Sequence, residues 1–285
     1  MKKTELTEKI EEKYKKMSKG HKRIADYITQ NYDKAAFMTA NKLGNKVGVS
    51  ESTVVRFADS LGYDGYPHLQ RAIQDVIRNK LTTVQLIEMT GELSDQEVLS
   101  KVLKSDMENI RNTLAEIDPQ VFDEVVSSIL KADKVYIMGM RSAAPLAQFM
   151  GYYMDFMMRN VCTVNSGISD VFEQLIHISD KDVFIGISFP RYSNRTIDGM
   201  RFASSRGAKC IAITDGTASP LCQLSDVALC AKSNMTSFVD SLVAPVSVVN
   251  ALIVAIGLKR KDEMRLSFGE LEKIWIEHNV YAGGK

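Results

Sequence analysis

A chain of 285 residues, 45% hydrophobic and 25% charged, is long enough for two domains and ordinary for a soluble protein. Its four cysteines (Cys162, Cys210, Cys222, Cys230) have no CxxC spacing, which excludes a disulfide frame or thiolate metal site and expects small buried hydrophobes of a reducing compartment. The formal charge of +1 hides a split: residues 1–80 hold 16 Lys/Arg against 10 Asp/Glu, the remainder 20 against 25.

A first quarter of net +6 ahead of a remainder of net −5 is what a nucleic-acid module joined to a non-binding domain shows, although solvated lysine-rich helices give the same balance. The charged N-terminus has no apolar run behind it, so no secretory signal is expected and the chain is placed in the cytoplasm. Residues 1–35 read as two helices, the second capped by Ser18 and carrying the stripe Ile24, Tyr27, Ile28.

Ala40, Leu43 and Val47 form the apolar stripe of a short helix that Gly48 ends, since glycine takes a left-handed cap without strain. Ser50 reads as the N-cap of a second helix, Glu51–Leu61, stopped by Gly62. Val54, Phe57, Ala58 and Leu61 share its inner face; Ser52, Arg56 and Asp59 lie opposite, with Thr53 at the margin. Gly44 lets the two helices cross closely. This describes a helix-turn-helix, with an ordinary αα-hairpin as the alternative. Ser52, Thr53 and Arg56 are then placed to reach base edges, and Lys42, Lys46 and Arg71 to meet phosphates. Glu51 serves the helix dipole. Asp64–Gly65 marks a turn before a helix that Pro67 could begin, with Leu69, Ile73, Val76 and Ile77 facing the bundle. The helix-turn-helix domain is thus set at 1–78.

Residues 79–131 read as a helical connector: Ser94 and Glu97 make a capping box, and Asp118–Pro119 opens a further helix. It could carry a dimer contact or simply cover the second domain. From Asp133 the pattern changes to β-branched runs at Lys134–Met138, Val161–Val164, Val183–Ile187, Cys210–Thr214 and Val227–Cys230, the first four separated by amphipathic helical stretches. That alternation predicts a parallel sheet with helices on both faces over 132–260. The apolar segment Ser241–Leu258 reads as a buried helix rather than a membrane span, and 261–285 as a helical tail with Leu266, Ile274 and Trp275 available for packing.

Ligands of such sheets bind beyond the carboxyl ends of the strands. The stretches found there are Gly139–Ala143, Ser188–Thr196 and Asp215–Pro220, rich in hydroxyls and carrying Arg141, Arg191 and Arg195. They suit a phosphate or other anion, although hydroxyls in such loops also merely cap helices. An enzymatic alternative needs a general base, for which Glu173 and His177, at i and i+4 on one predicted helix, are the candidates; such a pair is more often a surface contact.

VGVSESTVVRFADSLGYDGY, followed by KVYIMGMRSAAPLA, DVFIGIS, GAKCIAITDGTASPL and SDVAL, resembles the RpiR family of bacterial transcription regulators over nearly the whole chain. The resemblance implies an all-α helix-turn-helix bundle followed by an α/β/α sugar isomerase (SIS) domain with a five-stranded parallel sheet. It also implies phosphosugar binding, frequent dimerisation and DNA-binding control of sugar-catabolism genes. The family's first loop usually reads G-x-G-x-S, whereas here Arg141 stands at the second glycine and Ala143 at the serine, leaving Ser142 to supply a hydroxyl. Its phosphate loop is usually S-x-S-G-x-T; here Phe189-Pro190-Arg191 intervenes after Ser188, a variant similar to the SFPRYS-type loops of one branch. Ser188, Ser193, Asn194 and Thr196 carry over as ligand residues, and Arg141, Arg191 and Arg195 add charge suited to a more anionic effector. The expectation is a non-enzymatic, cofactor-free homodimer or homotetramer whose partners are an operator duplex and a phosphorylated sugar. Its alternatives are a sugar-phosphate isomerase with an accessory DNA-binding domain, and a SIS module without ligand that serves dimerisation only.

Overall fold

In a computed structural model, described for residues 5–78, 84, 87 and 94–282, the chain divides into two compact units, Met1–Leu93 and Ser94–Lys285. The first is helical: Glu5–Tyr14 (α1), Lys19–Gln30 (α2), the single turn Tyr32–Ala35 (α3), Ala40–Val47 (α4), Glu51–Ser60 (α5) and Gly65–Arg78 (α6). Hydroxyls of Ser18, Thr39 and Ser50 each accept the N–H three residues on, capping α2, α4 and α5, contributions of about 1 kcal/mol apiece. Ile24, Ile28, Leu43, Val54, Phe57, Leu69, Ile73 and Val76 close one core. α6 starts two residues before Pro67 and is pinned from its inner face: Tyr66 Oη donates to the Met38 carbonyl at 2.7 Å, and Gln74 Nε2 to that of Ala36 at 2.9 Å. The side chain of Ile77 and, apart from 84 and 87, the first part of the expected connector, 79–93, lie outside the described residues.

The second unit opens with Asp95–Glu116 (α7) and Pro119–Lys131 (α8), the helical part of that connector, which pack within this unit. The Ser94–Glu97 capping box is present. Buried Asn109 and Thr113 dock α7: Asn109 Nδ2 donates to the Asn234 carbonyl at 3.0 Å, its Oδ1 accepts from Asn234 N at 3.2 Å, and Thr113 Oγ1 accepts from Lys232 N at 2.8 Å. The segment following the last strand thereby finds partners for backbone groups that no neighbouring strand serves.

Five parallel strands form the sheet: Val135–Gly139 (β1), Val161–Val164 (β2), Val183–Ile187 (β3), Lys209–Thr214 (β4) and Val227–Cys230 (β5), in the order β2-β1-β3-β4-β5. Each lies within one residue of its expected bounds. Alternation sends Val135 and Ile137 to one core, with Val125, Val126 and Ile129 of α8, and Tyr136 and Met138 to the other. Ala144–Met157 (α9) and Val243–Lys259 (α12) cover the first face. Asn194–Ser205 (α11) covers the second, together with the single turn Val171–Gln174 (α10), which stands in place of the expected amphipathic helix. α12 buries Val248, Val249, Leu252 and Ile256, and Lys261–Glu277 (α13) leaves it at 101° with none of its own residues buried. Leu266 and Ile274 remain exposed, and Trp275 meets Phe268 and Tyr281 edge-on. Among the described residues no single helix is long and apolar enough to cross a membrane.

Candidate functional site

In the first unit, Gly48 caps α4 with φ 70°, and a Cβ on Gly44 would stand 2.8 Å from the Val49 carbonyl. The turn therefore rests directly on α4, and this contact fixes how α5 is presented. Ser52 and Arg56 are exposed on the outer face of α5 with Thr53 half-exposed, and Lys42 and Lys46 are exposed on α4. Ser50 Oγ lies 2.9 Å from Ser52 Oγ and 2.8 Å from Thr53 Oγ1, a cluster of rotatable hydroxyls at the start of the helix. Arg56 folds back, its Nε donating to the Ser52 carbonyl at 3.3 Å. Arg71 is half-buried on α6.

Two residues of α2 join this face that periodicity does not place there. Arg23 Nη1 lies 3.3 Å from the position of a Cβ on Gly48, and His21 stacks edge-on against Phe57 with ring centroids 5.5 Å apart. Burial, with the Arg56 guanidinium nearby, holds the His21 imidazole below its usual range. The signal available in the sequence is the basic run Lys19-Gly20-His21-Lys22-Arg23.

In the second unit the strand order reverses between β1 and β3: the chain runs outward from β1 to β2 and returns to continue β3-β4-β5. Ligands of open parallel sheets settle in the crevice at such a switch. The loops leaving these two strands hold the residues expected from sequence. Ser188 is buried and its Oγ accepts the N–H of Ser193 at 3.1 Å, folding the loop into a closed bend. Ser193 is the N-cap residue of α11 but makes no side-chain cap, and the fully buried Thr196 hydroxyl has no hydrogen-bond partner among the described residues. Tyr192 Oη donates to Asp215 Oδ1 at 2.8 Å, joining this loop to the one after β4.

Both flanking arginines are backbone exceptions: Arg141 has φ 58° and Arg191 φ 62°, in the left-handed region where a side chain costs about 1–2 kcal/mol. Arg141 is exposed and in no ion pair among the described residues; Arg191, Asn194 and Ser142 are also exposed. Arg195 points elsewhere, pairing with Asp170 at 3.4 Å. A cavity of about 270 Å³ adjoins the β1 loop, lined by Arg141, Gln148, Thr163, Asn165 and Ser166. A larger, apolar groove of about 420 Å³ among α9, α12 and α13 contains none of the expected ligand residues.

Glu173 and His177, the candidate acid–base pair, do not share a helix. α10 ends at Gln174, which leaves His177 in the following turn, and Glu173 is spent on the cap, its Oε2 accepting the Asp170 N–H at 2.9 Å. The i, i+4 geometry behind the enzymatic alternative therefore does not form.

Residues 4–80 match the helix-turn-helix domain of the rpiR family, and residues 128–255 match the SIS domain. The chain belongs to the RpiR family. It is a transcriptional regulator with a DNA-binding helix-turn-helix and a SIS domain. An HTH-type regulator of Clostridium perfringens is 27% identical over 237 residues, 82% of this chain and 84% of that one. HexR of Pseudomonas aeruginosa is 24% identical over 263 residues, 90% of each. The SIS domain of an RpiR transcription factor from Sphaerobacter thermophilus superposes with TM-score 0.59 at 27% identity, covering 61% of this chain and 97% of that one. Vibrio vulnificus NanR, solved with ManNAc-6P, shares the fold over 98% of this chain and all of its own, with TM-score 0.59 at 19% identity. Arg141 of this RpiR protein, expected from the resemblance at the second glycine of the first loop, has the left-handed backbone that a glycine adopts freely.

Proposed function

We propose that this RpiR regulator binds a phosphorylated sugar, or a phosphorylated sugar acid, at the Ser188–Thr196 loop. The buried Thr196 hydroxyl without a partner carries this reading, since such a group costs about 1–3 kcal/mol until something accepts or donates to it. Ser193, which makes no side-chain cap, and the first-turn N–H groups of the twelve-residue α11 complete a seat for a dianion. Arg141 and Arg191 supply guanidinium charge from either side of the crevice, the reason to prefer a strongly anionic effector. NanR, whose complex with ManNAc-6P has the same fold, supports a sugar phosphate as the ligand class.

The output is sequence-specific contact with an operator in sugar-metabolism genes. Arg56, Thr53 and Ser52 read bases, and Lys42, Lys46 and Arg71 meet phosphates. The protein acts as a homodimer or a pair of dimers, reading half-sites about 34 Å apart. The exposed seam Leu99, Leu103, Met107, Ile110 and Leu114 of α7 supports association of copies. The effector shifts regulation only as far as it binds the two dimer geometries differently.

A thermal-shift screen of phosphorylated sugars, phosphorylated sugar acids and their unphosphorylated counterparts tests the effector. A ligand at a hundredfold excess over its Kd should add about 2.7 kcal/mol. Thr196→Val should leave the free protein as stable or more so and abolish that shift. Neutral sugars binding as tightly as their phosphates would overturn the reading, and turnover of a ketose or aldose phosphate would refute a pure sensor. No shift with any compound, with DNA binding intact, would leave a module for dimerisation alone.

A further inference from the structure

We infer that Cys222 and Cys230 are a paired thiol site that closes to a disulfide on reaction with a hydroperoxide, locking the turn after β4 onto the edge strand β5. Cys230 ends β5 and stands opposite Thr214 in the parallel register. Strand alternation puts it on the same face as Ala228, which, like Leu224, packs against the core cluster that contains Leu221. Those two leucines flank Cys222 in the turn that folds back over this face, so topology and packing bring the two thiols together across the strand edge. The turn is firmly placed: Ser219 Oγ, bonded to Thr214 Oγ1 at 2.8 Å, accepts the Leu221 N–H at 3.2 Å, and Cys222 N donates to the Ser219 carbonyl at 3.1 Å. Cys222 Sγ lies 3.3 Å from the Gly216 carbonyl and within hydrogen-bond reach of Cys230.

The environment makes the pair unequal. Cys230 accepts the hydrogen bond of Cys222, which holds its thiol below the ordinary value against the opposing effects of burial and of the Asp215 and Glu116 carboxylates; the Lys232 ammonium, paired with Glu116 at 2.6 Å, favours its thiolate as well. The same hydrogen bond, together with burial, pushes Cys222 up. Cys230 is therefore the attacking sulfur and Cys222 the resolving one. Both are half-exposed, whereas Cys210 is buried with its thiol pushed up to about 12, and Cys162 lies on β2 at the opposite edge of the sheet.

The chemistry balances in two steps. The Cys230 thiolate attacks the hydroperoxide: an S–O bond forms, the O–O bond breaks, and the alcohol (or water, from hydrogen peroxide) leaves after taking a proton, giving a sulfenic acid. The Cys222 sulfur then attacks the Cys230 sulfur: S–S forms, S–O breaks, and water departs with the Cys222 proton. Two thiols lose two electrons and the peroxide gains them. Asp215, which begins the tethered turn, holds Tyr192 of the proposed effector loop, so closure bears on that loop as well.

The test needs only the full-length protein, one equivalent of hydrogen peroxide, alkylation under denaturing conditions and digestion before aspartates. Cleavage at Asp198, Asp215, Asp226 and Asp240 isolates Cys210, Cys222 and Cys230 on the separate peptides 198–214, 215–225 and 226–239. The expected product is a 215–225/226–239 cross-link, with Cys162 and Cys210 alkylated and full reversal by dithiothreitol. Cys222→Ser should instead leave a dimedone-trappable sulfenic acid at Cys230. Alkylation of both thiols at tenfold peroxide, prior oxidation of Cys162, or a dimedone adduct on Cys222 in Cys230→Ser would each overturn the assignment. No sugar enters the experiment, so its failure and that of the effector reading are separate.

Discussion

Replacing Arg141 with glycine should stabilise the free protein and weaken its hold on an anionic effector. At φ 58° the arginine backbone sits where a side chain costs about 1–2 kcal/mol. Glycine relieves that cost but returns about 0.4–1 kcal/mol through the greater freedom of its unfolded chain. The net is a gain of about 0.5–1 kcal/mol, which for a unit of this size raises Tm by about 1–4 °C. The guanidinium is exposed and in no ion pair among the described residues, so the free protein gives up no contact. The bound protein loses a charge-assisted hydrogen bond of about 1.5–3 kcal/mol, roughly tenfold to a hundredfold in Kd. Calorimetric melting of the free protein and titration with the tightest phosphorylated hit measure the two halves, and Arg141→Ala separates strain from charge by keeping the first and removing the second. A glycine variant that melts below the wild type, or binds the phosphorylated ligand as tightly, refutes the reasoning.

Arg56→Ala should flatten operator preference by about 1–3 kcal/mol per guanine read, whereas Lys42→Ala should lower affinity for all sequences alike and reduce the salt slope by about 0.9; binding curves against operator and random duplex at fixed and varied salt distinguish them. Gly44→Ala should destabilise despite a helix-propensity gain of about 1 kcal/mol, because the new Cβ meets backbone at 2.8 Å. Gly269→Ala on α13, with nothing within 4 Å, should show the gain alone in the same denaturant melts. Tyr66 supplies a pH test. Burial pushes its hydroxyl from 10.0 up to about 12, so its contribution is complete below pH 10 and lost as pH climbs toward about 12, about 2–3 kcal/mol in all. The first unit should lose stability steeply across that range, and Tyr66→Phe should remove the slope.

Features set by neighbours along the chain are legible in the residues themselves. Ser18 and Ser50 cap, Gly48 turns left-handed, and the strands fall within a residue of their β-branched runs. The Asp170–Glu173 capping box is legible in the same way, a pattern three residues long that occupies the Glu173 carboxylate at the start of α10. Features set by distant chain are not. Nothing in Asn109 or Thr113 announces partners at 232–234, more than a hundred residues on. His21 and Arg23 join the reading face only because α2 packs across α5. The two left-handed arginines stand between these cases. Arg141 is marked by its place in a glycine pattern, but Arg191 sits in a rebuilt loop whose length the sequence displays and whose conformation it does not.

The docking of α7 has a mechanical consequence. Four polar anchors of this helix (Asp106, Asn109, Thr113 and Glu116) lie in its C-terminal half, while residues 94–104 are exposed throughout. At 1.5 Å per residue the unanchored half overhangs by roughly 16 Å, so a tilt of about 10° at the anchor sweeps its tip by roughly 3 Å. Asn109 grips both polar groups of the Asn234 backbone, so the helix and the segment after β5 turn as one piece. Within the second unit, a small strain at the sheet edge is thereby geared up into a larger displacement at the free end of α7.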